Sequence, residues 1–155
     1  MEFFPIFITI LASFSPLTEI NGSIPLGIAL GLDPIFVFLL ASFSNSLLFF
    51  PLYFFLDQLY QRFLKKWNWF RKYLEKSRKK VKPYLNRYGY LGLTIFIALP
   101  SPFTGVYTAS LITWFFKMDW KKSYFAILIA VLINGLIILV ACLGFLEFLK
   151  FLVKI

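Results

Sequence analysis

Residues 34–56 read PIFVFLLASFSNSLLFFPLYFFL, 23 residues without a charge. A helix needs about 20 mostly apolar residues to cross a hydrocarbon core of about 30 Å, so the stretch is long enough to span a bilayer. Residues 123–146, SYFAILIAVLINGLIILVACLGFL, pass the same test with 24 uncharged residues. Each span carries an amide near its middle, Asn45 in the first and Asn134 in the second. An amide at that depth needs a partner, either as glue between helices or as the lining of a site.

Two shorter apolar pieces precede each span. In the first half they are Phe3–Phe14 and Ile24–Leu32, flanking the polar break from Ser15 to Ser23. In the second they are Tyr88–Leu99 and Phe103–Phe116, flanking Pro100-Ser101-Pro102. These pieces of 12, 9, 12 and 14 residues reach only about 14–21 Å as helix. Each pair therefore reads as a re-entrant helical hairpin with its tip inside the membrane. Broken backbone is tolerated there only when protein or a water-filled cavity surrounds it.

The charge sets the orientation. From Arg62 to Arg87 there are eleven Lys or Arg and one acid, Glu75, so this block alone carries +10 of a total of +9. Flanked by membrane-length sequence, it reads as a cytoplasmic connector rather than a nucleic-acid site. Phe63, Trp67, Phe70 and Leu74, then Val81, Leu85 and Tyr88, fall at helical spacing beside the cations. That is the pattern of an amphipathic helix lying in the interface, with Pro83 expected to break or restart it. Arg71, Lys72, Lys76, Arg78, Lys79 and Lys80 are the expected contacts to anionic headgroups, each attracted by about 1 kcal/mol. No Lys or Arg occurs before Arg62, so the first end lacks the cationic region of a secretory signal and is expected outside the cytoplasm.

The expected fold is thus all-α and membrane-integral. It is an inverted repeat of two units (1–60 and 88–155), each a re-entrant hairpin followed by one transmembrane helix, joined by a basic connector at 61–87. Inverted repeats with broken helices are the recurring plan of secondary transporters, which bind substrate near the midplane. A cell (inner) membrane is the expected location. Two spans and two hairpins enclose little volume, so a two-fold homodimer is expected.

Composition excludes most other classes. Sixty per cent of the residues are apolar, 15% are charged and the mean hydropathy is +0.80. A soluble domain has about 45–50% apolar and about 25% charged residues. There is no His, and Cys142 is the single cysteine. That removes Ser-His hydrolysis, an internal disulfide, Cys-rich metal clusters and most zinc sites. No HExxH, P-loop or GxGxxG is present, so no enzyme, cofactor or metal site is expected.

Glu19 is the most informative residue, the one acid between Glu2 and Asp33 and far in sequence from any cation. Buried in low dielectric, a carboxyl gives up its proton less readily than in water. It is then poised to exchange a proton near neutral pH or to bind a cation, and intramembrane acids are functional candidates by default. Beside it stand Thr18, Asn21, Ser23 and Pro25, and at the second tip Ser101, Thr104, Gly105, Tyr107 and Thr108. The candidate substrate or ion site is Glu19, Asn21, Ser23, Pro25, Asn45, Pro100, Pro102, Thr104, Gly105, Tyr107, Thr108 and Asn134. Short helices starting near the tips would aim their N–H groups at one point, a ready anion site. Gly27 and Gly31 form a GxxxG, read as close helix packing.

The stretches Glu19-Ile-Asn-Gly-Ser-Ile-Pro25 and Pro100-Ser-Pro102-Phe-Thr104-Gly105-Val-Tyr107-Thr108, with Asn134-Gly135, resemble the small multidrug export family. In that family's first motif an Arg follows the acid by two residues; here Asn21 stands in its place. The organisation is also similar to the DedA/SNARE-associated superfamily, whose Arg-containing second motif has no counterpart between Tyr88 and Phe116. The first resemblance implies export of small molecules, the second movement of lipids or lipid carriers. The residues leave three readings: a transporter coupled to protons or cations through Glu19, a lipid flippase or scramblase, and a structural protein with no use for a buried acid.

Overall fold

The computed structural model describes residues 3–62, 68–100 and 105–153. Side chains are described throughout these except at 70–71, 73–74, 80–87 and 149–153. Seven helices account for the described residues, with no strand among them: α1 (Phe3–Phe14), α2 (Glu19–Ala29), α3 (Pro34–Leu47), α4 (Phe49–Arg62), α5 (Asn68–Ala98), α6 (Val106–Phe115) and α7 (Trp120–Val153).

Two of these units are long and apolar enough to cross a bilayer. α3 and α4 together cover Pro34–Arg62, 29 residues, or about 43 Å of helix. They are parted only at Leu48, where the N–H bonds back to the Asn45 carbonyl. Pro51 explains the break, because it cannot donate to Leu47 and its ring crowds that carbonyl. The second unit is the apolar part of α7, Trp120–Phe148. Ser42 lies against Gly135, Phe49 against Tyr124 and Phe54 against Trp120. These pairings make the two long helices antiparallel.

The remaining boundaries depart from expectation in three places. α2 begins at Glu19 rather than Ile24 and ends at Ala29. Without water the backbone must bond to itself, so the helix extends into the polar segment that composition marks as loop. The piece expected at Tyr88–Leu99 is the end of one 31-residue helix, α5, which runs from the basic connector without interruption. Pro83 does not break it. The helix continues through it with one backbone bond fewer. The GxxxG is two separate devices. Gly27 is a packing site, where an added Cβ would lie 2.7 Å from Val37 Cγ1 and 2.9 Å from Thr9 Oγ1. Gly31 has φ +87° with open space around it and serves as a helix stop.

The halves share a series of local devices 86 residues apart. α2 ends with Leu32 N–H on the Gly27 carbonyl and Gly31 N–H on Ile28; α6 ends with Met118 N–H on Thr113 and Lys117 N–H on Trp114. Both are left-handed caps, made by Gly31 in one case and by Lys117, at φ +52°, in the other. Asp33 then caps α3 through Phe36 N–H (2.9 Å), and Asp119 caps α7 through Lys122 N–H (3.0 Å). Packing corresponds too: α1 lies on α2 and α3 as α5 lies on α6 and α7. In addition α2 packs on α7, and α6 on α4, so each short helix crosses to the other half's span.

Interior and exterior are distributed as lipid requires. Thr9, Ser13, Ser23, Ser42, Asn45, Ser46, Thr113, Ser123 and Asn134 are buried, whereas Phe43 and Phe125 are 61% and 63% exposed. A water-soluble fold does the reverse. Lipid tails are as apolar as Leu, so burial between helices brings little hydrophobic gain; close packing and polar contacts hold the bundle. At one end of the spans Phe50, Phe54 and Tyr124 gather round Trp120, and Tyr60 meets Trp114. This is the composition of an interfacial aromatic belt. The chain is a membrane protein.

Candidate functional site

The starts of α2 and α6 come together at Glu19. This residue opens α2 in a left-handed conformation, φ +42°, which costs a non-glycine residue about 1–2 kcal/mol. It is 9% exposed. Its carboxylate accepts hydrogen bonds from the backbone N–H groups of Val106 and Tyr107, the first two residues of α6. These are among the donors that a helix start leaves without an internal partner, and they carry the positive end of the helix dipole. The donors come from α6 alone, not from two converging helix starts, and the group that takes them is the protein's own side chain.

Tyr107 makes a second tie between the halves, since its hydroxyl donates to the Phe14 carbonyl. Phe14 ends α1, and the last carbonyls of that helix are taken by donors from three places. Thr18 Oγ1 donates to Ala12, Asn45 Nδ2 to Ser13 (2.8 Å) and Tyr107 to Phe14. α5 ends in a similar way, with Asn134 Nδ2 donating to the Ile97 carbonyl (2.9 Å). Ser13 and Ile97 are each the next-to-last residue of their helix. The two midspan amides thus do the same work in the two halves: each satisfies a carbonyl where a helix stops. Each also keeps a buried carbonyl oxygen, Oδ1, with no hydrogen-bond partner among the described residues.

The other candidates are placed around this centre or apart from it. Ser23 is fully buried on α2, and its hydroxyl has no partner among the described residues. Asn21 and Pro25 are half-buried on the same helix. Gly105 is buried at the start of α6, in contact with the Glu19 carboxylate. Thr108 joins Tyr107 in a cleft of about 300 Å³ whose other walls are Leu52, Phe55, Leu56 and Leu111, between α4 and α6. Pro100 is exposed just past the end of α5. Pro102 and Thr104 lie outside the described residues.

The headgroup candidates lie on α5. Lys72, Lys76 and Lys79 are exposed, and the side chains of Arg71 and Lys80 lie outside the described residues. Arg78 is half-buried and turned to another use. Its Nε donates to the Phe115 carbonyl (2.6 Å), with Nη2 3.5 Å from the Trp114 carbonyl. A cation therefore sits at the negative end of α6 and a carboxylate at its positive end. Both oppose the dipole of this ten-residue helix in the stabilising sense.

Sequence reading passed over Ser42, Ser44 and Ser46, all buried on α3. The signal was present, since three serines surround Asn45 inside an otherwise apolar span. Gly105 is legible in the sequence only as part of a polar tip; a Cβ built on it would fall on the Glu19 carboxyl group.

No curated protein and no solved structure matches the chain. A family profile does, over residues 19–137, and the family is described as "putative small multi-drug export protein". The match opens on Glu19 itself, at the end of the first break, and closes just beyond Asn134, so it takes in the whole of α2 and α6, both midspan amides and most of the two spans. On that coverage the chain belongs to the small multi-drug export protein family.

Proposed function

We propose that the chain is a small secondary transporter that exports small molecules and is coupled to protons or cations through Glu19. The observation that carries this reading is the position of the Glu19 carboxylate, buried where α2 and α6 begin, on the N–H groups of α6. In its charged form it holds α2 to α6. When it is protonated, one oxygen becomes a donor and the charge–dipole attraction is lost, which favours arrangements with the breaks apart. A proton or a competing cation thereby acts on the contact that closes the centre.

In this reading the halves are inverted repeats of a re-entrant hairpin and a span. The antiparallel long helices, the matched caps and the matched amide contacts support it. The basic connector faces the cytoplasm of a cell (inner) membrane, against anionic lipid, and two copies associate as a homodimer. A second reading is movement of a lipid or lipid carrier. It is favoured by the mostly apolar cleft at Leu52, Phe55, Leu56 and Leu111, with Tyr107 and Thr108 at its polar side.

Reconstitution into vesicles of phosphatidylethanolamine and phosphatidylglycerol separates the two. Ethidium serves as the small-molecule probe, and phosphatidylglycerol with a fluorescent headgroup label as the lipid probe. The transporter reading expects ethidium flux that follows an imposed pH or sodium gradient and little lipid movement. Gradient-independent exchange of the labelled lipid, with no ethidium flux, would favour the second reading and remove the first.

A further inference from the structure

We propose that Gly105 is the positioning residue for Glu19. Its missing side chain is the space into which the carboxylate fits to reach α6, a role that rests on the reading of Glu19 given above.

The argument starts from what Gly105 does not need. Its φ of −87° and ψ of −169° are extended backbone, which any residue adopts. Conformation gives no reason for glycine here, so the reason is space. A Cβ built on Gly105 would fall inside the Glu19 carboxyl group, overlapping Oε1, Oε2 and Cδ alike. Those atoms belong to the one group fixed there by two backbone donors, so they cannot swing aside as the end of a free side chain could. Glu19 also accepts a left-handed φ in taking up this position. Strain on one partner and a bare Cα on the other serve the same contact.

The sequence places these two residues at equivalent points. Ser15-Pro16-Leu17-Thr18 precedes Glu19, and Ser101-Pro102-Phe103-Thr104 precedes Gly105, at the same 86-residue spacing as the caps. Equivalent positions that meet face to face compete for one volume. Here a single side chain fills it, supplied by the first half and accommodated by the second. The pairing makes the centre asymmetric: the first half carries the ionisable group, and the second presents the helix start that binds it.

The test combines backbone amide exchange over 105–111 with ethidium flux, both in lipid vesicles or nanodiscs. Gly105→Ala is expected to speed exchange at Val106 and Tyr107 about tenfold, the loss of charge-assisted hydrogen bonds, and to bring flux to background. Glu19→Asp withdraws the carboxylate by one methylene, about 1.5 Å. On its own it should weaken protection less than Gly105→Ala does, and combined with Gly105→Ala it should bring protection back to the level of Glu19→Asp alone, with part of the flux. If Gly105→Ala does not fold, Glu19→Ala in the same chain should recover folding by removing the colliding group. Unchanged exchange in Gly105→Ala, or a double variant no better than the single one, would overturn the proposal. Exchange that responds as described while Glu19→Gln transports normally would leave the positioning role standing and remove the transport role of Glu19.

Discussion

Glu19→Gln is expected to bring gradient-driven ethidium flux down to that of empty vesicles while the protein stays folded. Gln has the shape of Glu and keeps one oxygen to accept an N–H from α6, but it carries no charge and exchanges no proton. The change removes the attraction between a carboxylate and a helix start, about 0.3–1 kcal/mol and up to ~2 kcal/mol when partly buried. That is small beside the stability of a bundle held by close contacts such as Gly27 on Val37 and Gly135 on Ile20 and Ser42. The variant therefore separates coupling from folding. Flux is the readout, measured over a series of pH gradients beside a melting curve. A Glu19→Gln protein whose flux follows the gradient as wild type does would exclude Glu19 as the coupling group.

Asn45→Leu and Asn134→Leu are each expected to lower stability by about 1–3 kcal/mol, the cost of leaving a buried acceptor without its donor. Leu fills the amide's volume, so no cavity contributes. What is lost is the donor to the Ser13 carbonyl in one case and to the Ile97 carbonyl in the other. Both carbonyls lie at helix ends, where the backbone has no further turn to bond to, and lipid offers no replacement. One gain partly offsets the loss, because each change also removes a buried amide oxygen with no partner among the described residues. Denaturant unfolding in lipid–detergent micelles reads the difference, with Cys142→Ser as the comparison. If the Leu variants were as stable as Cys142→Ser, the amides would not be holding the helix ends.

The parts of this structure legible from sequence are those that depend on local pattern. The two spans follow from uncharged length, and Phe3–Phe14 matches α1 to the residue. The site's ingredients were legible too, because a lone acid and two midspan amides are conspicuous in so apolar a chain. Their pairing was not. Asn134 with Ile97 and Tyr107 with Phe14 join residues 37 and 93 positions apart, and no periodicity records such a contact. Two local rules also misled. Polar Asn21, Gly22 and Ser23 marked a loop where the backbone closes a helix on itself, and Pro83 marked a break in α5. Arg78 shows the same limit from the other side: its sequence neighbours are headgroup candidates, and only the approach of α6 gives it the Phe115 carbonyl.

Single-cysteine labelling from each side of the membrane, in a Cys142→Ser background, tests the central claim most directly. Ile35 lies beside the turn between α2 and α3, Lys121 beside the turn between α6 and α7, and Leu17 in the first break; all three are exposed in the isolated chain. With opposed hairpins, an impermeant thiol reagent labels Ile35→Cys from one face only and Lys121→Cys from the other only. It leaves Leu17→Cys unlabelled from both. Labelling of Ile35→Cys and Lys121→Cys from the same face, or rapid labelling of Leu17→Cys by the impermeant reagent, would contradict the account.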